Sequence, residues 1–450
     1  MFFRGFSFCV AWLISLNVSL ADEKASSSKP NIVFIIADDL GWGDVGFHGG
    51  NAPTPHLDRL AREGLELAQH YVAPVCSPTR TGLLTGRCWS RFGVTNAQNE
   101  RALPWDTVTL PRALTSVGYD TCLTGKWHLG SLPEQGPNHF GFDHSYGSLA
   151  GGVSPWNHRY KQGPFTKTWH RNETLLEEPG HVTDLIAAEA VKWIESRGSA
   201  PFFLYVPFTA VHLPIKEPDE WLRRVPESIH GEVPRHYAAC VMHLDDAVGR
   251  IIATLEKNGR RDNTLLVFTS DNGGSTVENN DLHYPDDKCP EGKLPGNNKP
   301  WRGEKGTLYE GGTRVPTIVS WPGRAKPGKV NSPVQITDWM PTLCALTRVH
   351  EGRDLKWDGT NIAPLLTEHI ELPTRPLYAV APGWRSRSLR LRDWKLIVHD
   401  EKGTRKVELF DLANDPAESN NQADRQPDRV QQLLAKLESI AARDQDAVAK

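Results

Sequence analysis

The sequence predicts an α/β domain with a mostly parallel central sheet, followed by a smaller antiparallel sheet at the C-terminal end. Apolar runs typical of fully buried strands alternate with segments of helical periodicity along most of the chain. After about residue 375 the pattern changes to short strands separated by turns. A chain of 450 residues is long enough for one large domain with an appendage.

The large domain is predicted to span residues 22–375. Its first strand is the uninterrupted apolar run from Asn31 to Ala37 (NIVFIIA), and further strand-like runs cover 119–124, 202–206 and 264–269. A helix is expected over 54–63, with Thr54 as N-cap, Pro55 in the first turn and Gly64 as the stop. Two more helices are predicted at 182–196 and 235–257. Strands that alternate with helices favour a parallel sheet.

The C-terminal subdomain is predicted to span residues 376–450. Its short strands are expected at 378–380, 388–391, 395–399 and 407–410, and a polar helix over 428–443 closes the chain. This order is typical of a small antiparallel sheet with one helix, packed on the main domain.

Residues 1–21 read as a signal peptide. Arg4 supplies a positive start, residues 6–16 (FSFCVAWLISL) are apolar, and small residues precede Asp22. The apolar run is too short to span a bilayer comfortably, so we expect no stable membrane insertion and a secreted or periplasmic protein. A buried N-terminal helix is the alternative. The net charge of -3 and the lack of nucleic-acid-binding motifs argue against nucleic acid as a partner.

Polar residues follow four of the predicted strands. They are Asp38 and Asp39, Lys126 and His128, His212, and Asp271 and Asn272. Ligands of open α/β sheets bind beyond the carboxyl ends of the strands, so these residues predict one site. Carboxylates 4 Å apart repel by roughly 4 kcal/mol at an effective dielectric near 20, so the acidic pairs need a cation. Oxygen ligands favour calcium or magnesium over zinc.

The most specific motif is residues 76–80 (CSPTR), in a loop that is expected to run into a helix. A residue there would lie near a helix N-terminus, which favours anionic ligands. A tyrosine-phosphatase motif needs Arg at position 82, which is Gly82. A buried structural cysteine is the plainer alternative for Cys76.

The residue set resembles the sulfatase family of the formylglycine-dependent type. Residues 76–80 satisfy its C-x-P-x-R signal, residues 125–130 (GKWHLG) match its second signature, and the resemblance extends from Asn31 into the C-terminal subdomain. It implies an alkaline-phosphatase-like sandwich and sulfate ester hydrolysis. It also implies a maturation enzyme that converts Cys76 to formylglycine, also called 3-oxoalanine. One calcium ion is implied, with the ligands Asp38, Asp39, position 76, Asp271 and Asn272.

The same resemblance assigns roles to the remaining polar residues. Arg80 would hold the formylglycine, and Lys126 and Lys305 would neutralise the sulfate oxygens. His212 would protonate the leaving oxygen, and His128 would be the base that releases sulfate from the hydrated aldehyde. Taken alone, each lysine is a common surface residue and each histidine a common structural one.

The substrate is inferred from weaker similarity. Residues 235–249 and 296–303 look like the arylsulfatase B branch, which removes 4-sulfate from N-acetylgalactosamine, so a sulfated carbohydrate or an aryl sulfate is expected. Two irregular stretches, 131–180 and 273–300, are expected to form binding loops. Trp156 and His158 in the first are candidate substrate contacts, although most aromatic residues only pack.

Two other functions fit part of the pattern. A phosphodiester or phosphonate hydrolase of the same superfamily often uses Ser or Thr, or a His-containing two-metal site, and residues 76–80 argue against this. A non-catalytic sulfatase-like protein that binds sulfated glycans would be expected to lose a metal ligand, Cys76 or a key histidine, and all of these are present.

Overall fold

The computed structural model describes residues 1, 29–279, 284, 288–401 and 403–449. Apart from Met1, the predicted signal peptide at 1–21 lies outside the described residues. Within the described ranges no helix is both long enough and apolar enough to cross a membrane. The six cysteines in these ranges are buried and carry free thiols.

Sixteen strands form the sheets of the described chain. They are β1 (Asn31–Ala37), β2 (Leu65–Leu67), β3 (His70–Tyr71), β4 (Asp120–Lys126), β5 (His144–Ser148), β6 (Trp169–Arg171), β7 (Thr174–Leu175), β8 (Phe202–Pro207), β9 (Thr264–Ser270), β10 (Ile318–Ser320), β11 (Gly328–Val330), β12 (Val334–Gln335), β13 (Pro376–Val380), β14 (Ser386–Leu391), β15 (Trp394–Glu401) and β16 (Thr404–Asp411).

Ten α-helices accompany them in the same ranges. They are α1 (Pro55–Glu63), α2 (Cys76–Thr85), α3 (Leu110–Thr115), α4 (Val182–Glu195), α5 (Asp219–Leu222), α6 (Glu232–Lys257), α7 (Glu310–Thr313), α8 (Trp339–Thr347), α9 (Ala363–Glu368) and α10 (Pro427–Ala441).

A ten-stranded sheet is the centre of the large domain. Its order is β11-β2-β10-β9-β1-β8-β4-β5-β6-β7. The five middle strands, β9 to β5 in that order, pair in parallel, and antiparallel pairs flank them. The α/β architecture with a mostly parallel sheet is therefore confirmed. Parallel strands bring their carboxyl ends to one edge, and this positions the residues that follow β1, β4, β8 and β9.

Strand β1 shows why the apolar run is uninterrupted. Ile32, Phe34 and Ile36 pack into the hydrophobic cluster on one face of the sheet. Val33 and Ile35 pack into the cluster on the opposite face. A strand covered on both faces must be apolar at every position, and fully burying each such side chain stabilises the fold by roughly 1.5–3 kcal/mol.

The C-terminal subdomain is an antiparallel sheet of four strands in the order β13-β14-β15-β16. Helix α10 packs on β14 and β15. The small antiparallel sheet with one helix is therefore confirmed, with strands a few residues longer than predicted. The stretch 131–180 also contains β5, β6 and β7, which the sequence pattern did not predict because glycine and polar residues interrupt them.

Candidate active site

The carboxyl ends of β1 and β9 place four polar side chains together. These two strands are parallel neighbours, paired in register to their last residues, so 38–39 and 271–272 leave the sheet side by side. The Asp39 N–H donates to Asp271 Oδ1 at 3.2 Å, and Asn272 Nδ2 donates to Asp39 Oδ1 at 2.7 Å. All four residues, Asp38 included, are buried. Three buried carboxylates at one point require compensating positive charge.

Each carboxylate is paired with a cation from a different segment. The pairs are Lys126 Nζ with Asp38 Oδ2 at 2.5 Å, Lys305 Nζ with Asp39 Oδ2 at 2.7 Å, and Arg80 Nη2 with Asp271 Oδ2 at 2.9 Å. Their formal charges cancel. Even so, Asp38 Oδ1 and Asn272 Oδ1 have no hydrogen-bond partner within the described ranges. A buried acceptor without a partner is costly, so these oxygens are suited to a further positive ligand.

Burial raises the pKa of Asp38 to about 8, and the neighbouring Asp271 carboxylate acts in the same direction. Burial would also raise the pKa of Asp39, but the Lys305 ammonium and the hydrogen bond from Asn272 outweigh it and hold this pKa at about 2. The protein alone therefore stabilises the ionised form of one carboxylate and not of the other. A cation at the free oxygen would favour the ionised form of Asp38.

The segment 76–80 begins α2, as the loop-to-helix pattern predicts, and its side chains anchor the helix to two strand ends. The contacts are Ser77 Oγ to His128 O at 2.8 Å, Thr79 Oγ1 to Asp271 O at 2.6 Å and Arg80 Nη1 to Lys126 O at 2.6 Å. The motif is thus a structural unit as well as a sequence pattern. It holds its first residue, Cys76, at the carboxylate cluster.

The Cys76 thiol is enclosed and lies against a histidine. Its Sγ is 3.1 Å from His128 Nδ1, and Sγ, one oxygen of Asp38 and one of Asp271 lie within 4.8 Å of one another. Burial raises the pKa of the thiol, although Lys126 and Lys305 oppose this. A thiol with a raised pKa is a poor thiolate nucleophile, so unmodified Cys76 is not primed for attack.

The second histidine approaches from the loop after β8. His212 Nδ1 lies 2.5 Å from Leu213 O, and because a carbonyl only accepts, this nitrogen carries a proton. The other ring nitrogen, Nε2, lies 3.9 Å from Asp39 Oδ2. Burial and nearby lysines hold the pKa of both His212 and His128 well below the usual range, so both rings are neutral at neutral pH.

Two glycines that the sequence pattern did not identify give these histidines room. A Cβ at Gly151 would lie 2.2 Å from His128 Nε2, and one at Gly152 would lie 2.6 Å from Tyr284 Oη and 3.3 Å from His212 Nδ1. The Tyr284 hydroxyl is buried and has no hydrogen-bond partner in the described part of the chain. The adjacent glycine pair was visible in the sequence. Its functional importance could not be predicted, because it depends on which side chains lie against the two glycines.

Trp156 and His158 lie in the predicted loop, where the structure gives each a packing contact. Trp156 is partly exposed (38%) and its Nε1 donates to Lys216 O at 3.1 Å. His158 is buried, stacks on Trp169 with ring centroids 4.7 Å apart, and has Nε2 2.9 Å from Gly180 O. Their assignment to substrate stays a prediction.

This chain is similar in sequence to known proteins. A family model described as Sulfatase matches residues 30–349, and one described as N-sulphoglucosamine sulphohydrolase, C-terminal, matches residues 301–443. Arylsulfatase J of Mus musculus is 30% identical, over 92% of this chain and 76% of its own length. N-acetylgalactosamine-6-sulfatase of Rattus norvegicus is 34% identical, over 76% of this chain and 66% of its own length.

One solved structure matches almost the whole chain. The crystal structure of Ps i-CgsB in complex with k-i-k-neocarrahexaose has a TM-score of 0.83 and 30% identity, and the match covers 94% of this chain and 95% of that one. The alkaline-phosphatase-like α/β fold is confirmed by this likeness.

Proposed function

We propose that this chain, which belongs to the sulfatase family, cleaves sulfate esters of carbohydrates with a formylglycine at position 76 and one calcium ion. Sulfuric ester hydrolysis is the reaction class of the family. The observation that carries the proposal is the convergence of Cys76, three carboxylates with three cations, and two histidines at one edge of the sheet.

The donor set supports calcium. Asp38, Asp39, Asp271 and Asn272 offer only oxygen ligands, and two of these oxygens lack a hydrogen-bond partner among the described residues. Calcium accepts six to eight oxygens in flexible geometry, so these four side chains would leave room for an oxygen at position 76 and for sulfate. When bound, the ion would polarise the sulfate group and favour the ionised form of a hydroxyl at position 76.

The surroundings of position 76 support formylglycine. The thiol of Cys76 is enclosed and its pKa is raised, which disfavours direct use of the thiolate. A hydrated aldehyde would supply two hydroxyls on one carbon. One would attack sulfur as the S–O bond to the alcohol breaks, and loss of a proton from the other would break the C–O bond to sulfate and restore the aldehyde. Arg80, fixed by Lys126 O and Asp271, would hold this side chain in place.

The lysines are suited to bind sulfate once a cation takes over the carboxylates. Lys126 and Lys305 now pair with Asp38 and Asp39, the proposed metal ligands. A divalent cation on the carboxylates would free both ammonium groups for the sulfate oxygens. The two positive charges of the cation would balance the two negative charges of a sulfate dianion, so the net charge of the site would not change when both are bound.

The histidines are suited to opposite proton transfers. His128 is neutral and its Nδ1 is 3.1 Å from the side chain at position 76, so it can accept a hydroxyl proton there. His212 is held by Leu213 O with Nε2 on the site side. The negative charge of a bound sulfate group would raise the pKa of His212 and favour the imidazolium that protonates the leaving oxygen.

Sulfated carbohydrate is the substrate class that the relatives support. The structure of one relative contains k-i-k-neocarrahexaose, and relatives found by sequence are named N-acetylgalactosamine-6-sulfatase. The buried Tyr284 hydroxyl beside Gly152 would be available to a sugar hydroxyl. The 4-sulfate of N-acetylgalactosamine stays a prediction, as does secretion or export to the periplasm.

Replacement of Cys76 tests the proposal. Cys76→Ser and Cys76→Ala, produced in a host with the maturation enzyme, should lose at least about a thousandfold in sulfate release, as expected when a nucleophile is removed. The assay compares a chromogenic aryl sulfate with sulfated oligosaccharides, and thermal unfolding confirms that the variants fold. Full activity in either variant contradicts the proposal. Faster turnover of a phosphodiester or phosphonate by the parent protein would also contradict it.

A further inference from the structure

Lys305 lies in a segment without helix or strand. Between Trp301 and the start of α7 at Glu310 the chain is formed of turns and bends. The Lys305 side chain nevertheless reaches Asp39 at 2.7 Å. An ammonium on an irregular segment keeps its position only if other contacts fix the backbone.

The peptide next to Lys305 is held from both sides. The Lys305 N–H donates to Gly274 O at 3.2 Å. The Gly306 N–H donates to Pro74 O at 2.7 Å, and Pro74 lies two residues before Cys76. The Gly306 carbonyl accepts a hydrogen bond from the Arg385 guanidinium, which belongs to the C-terminal subdomain. The main domain thus binds one edge of this peptide and the subdomain binds the other.

One residue of the subdomain connects the two ends of the segment. The Glu418 carbonyl accepts from Arg302 Nη1 at 2.8 Å, and Glu418 Oε2 accepts from the Glu310 N–H at 2.6 Å. Glu418 is fully buried. The two ends of segment 302–310 are therefore fixed to one residue of the subdomain.

A buried lysine completes the attachment. Lys395 Nζ, on β15, lies 2.8 Å from Glu310 Oε1 and 2.9 Å from Glu418 Oε1. Two buried carboxylates this close would repel each other without the shared cation. Tyr309 extends the same attachment, since its hydroxyl donates to Glu408 Oε2 at 2.5 Å.

We propose that Arg385, Lys395 and Glu418 are positioning residues for Lys305, so that the C-terminal sheet takes part in catalysis by holding segment 302–310. The inference rests on the proposed function, in which Lys305 neutralises sulfate oxygens. A shift of about 1 Å in a catalytic group can cost about a hundredfold in rate. A sheet that served only to cover the large domain would not need contacts at both ends and in the middle of this segment.

Arg385 gives the cleanest test because its side chain is exposed and its loss leaves no buried cavity. We expect Arg385→Ala to lower kcat/KM for a small aryl sulfate by about tenfold, and Arg385→Lys to restore part of it. Affinity for inorganic sulfate, measured by calorimetry, should fall by a similar factor. Arg387→Ala is the matched control, because Arg387 lies two residues on and pairs with Asp400 and Glu438 instead.

A Lys305→Ala background separates positioning from general structure. There, Arg385→Ala should have no further effect, because no ammonium remains to be positioned. An equal tenfold loss in both backgrounds, or a loss confined to oligosaccharide substrates, overturns the inference. If Lys305→Ala itself keeps full activity, the proposed role of Lys305 fails first. If Lys305→Ala is inactive while Arg385→Ala and Glu418→Gln are fully active, only the positioning inference fails.

Discussion

Two clusters of potential metal ligands in this molecule differ in their donor atoms and in how the protein pairs their charges. The cluster at the ends of β1 and β9 contains Asp38, Asp271 and Cys76, and the second contains His181, Asp184 and His243 between α4 and α6. In both clusters, groups able to bind a metal lie within 4.8 Å of one another. The first cluster presents two oxygens without a hydrogen-bond partner among the described residues, whereas the second is dominated by ion pairs.

In the second cluster the charged groups are paired within the protein, although His181 Nε2 and His243 Nε2 have no hydrogen-bond partner among the described residues. His243 Nδ1 is 2.7 Å from Glu217 Oε2 and Nε2 is 3.2 Å from Asp184 Oδ1, while Arg250 also pairs with Asp184 at 2.8 Å. These two carboxylates raise the pKa of His243 to about 9 despite its burial. Arg250 pairs in addition with Asp246 at 3.2 Å, so the two cations are held by three carboxylates.

His181 fits the same conclusion. Its Nδ1 accepts from the Thr183 N–H, so the proton of the neutral ring is on Nε2, which points toward Glu217 at 3.5 Å. A metal at Nε2 would first have to displace this proton. We therefore interpret the second cluster as an ion-pair network that fixes the loop from His212 to Glu217, and the first as the metal site. The donor atoms distinguish them. The first offers carboxylate and amide oxygens, of which Asp38 Oδ1 and Asn272 Oδ1 have no hydrogen-bond partner among the described residues, whereas the second offers two imidazoles and one carboxylate.

The largest effect is expected from one carboxylate of the first cluster. Asp38→Asn should lose bound calcium and lower kcat by at least about a hundredfold, because it removes the ligand whose free oxygen the protein leaves unsatisfied. Metal content per chain and sulfate release measure this. Asp184→Asn is the matched control and should keep the calcium of the parent protein. Equal metal loss in both variants would contradict the distinction between the two clusters.

A smaller, pH-dependent effect is expected from the second cluster. The pKa of His243 is raised from 6.5 to about 9 in the folded protein. Its stabilising contribution is therefore fully present below pH 6.5 and is lost as pH rises through about 9, with a limit on the order of 3 kcal/mol. His243→Gln should lower Tm most near pH 6 and progressively less toward pH 9.5. A Tm difference that grows with pH would contradict the ion-pair interpretation, and calcium content should not change.

Much of the fold was predictable because buried positions are apolar, and their spacing is visible in the sequence. Strand β1 is covered on both faces, so its apolar run defines its bounds, Asn31–Ala37, correctly. Helix α6 begins at Glu232, three residues before the predicted start, since Pro234 is tolerated in a first turn. Strand β5 was not predicted, because Gly147 and its polar neighbours are buried beside β4 without an apolar pattern.

The site was predictable where chemistry depends on local spacing. Residues 76–80 and the pairs after β1 and β9 lie together because parallel strands end at one edge. The contacts of Glu418 with Arg302 and Glu310 join positions more than a hundred residues apart, and no local pattern indicates them. The same holds for Gly152, whose importance depends on the approach of Tyr284 and His212.

We propose that position 76 carries an aldehyde beside the proposed calcium site. Mass spectrometry of the peptide that contains Cys76, from active protein of a host with the maturation enzyme, tests it most directly. Conversion of cysteine to formylglycine lowers the peptide mass by about 18 Da, and we expect this shift in proportion to specific activity. Fully active protein with an unmodified Cys76 thiol would show that the aldehyde is not required.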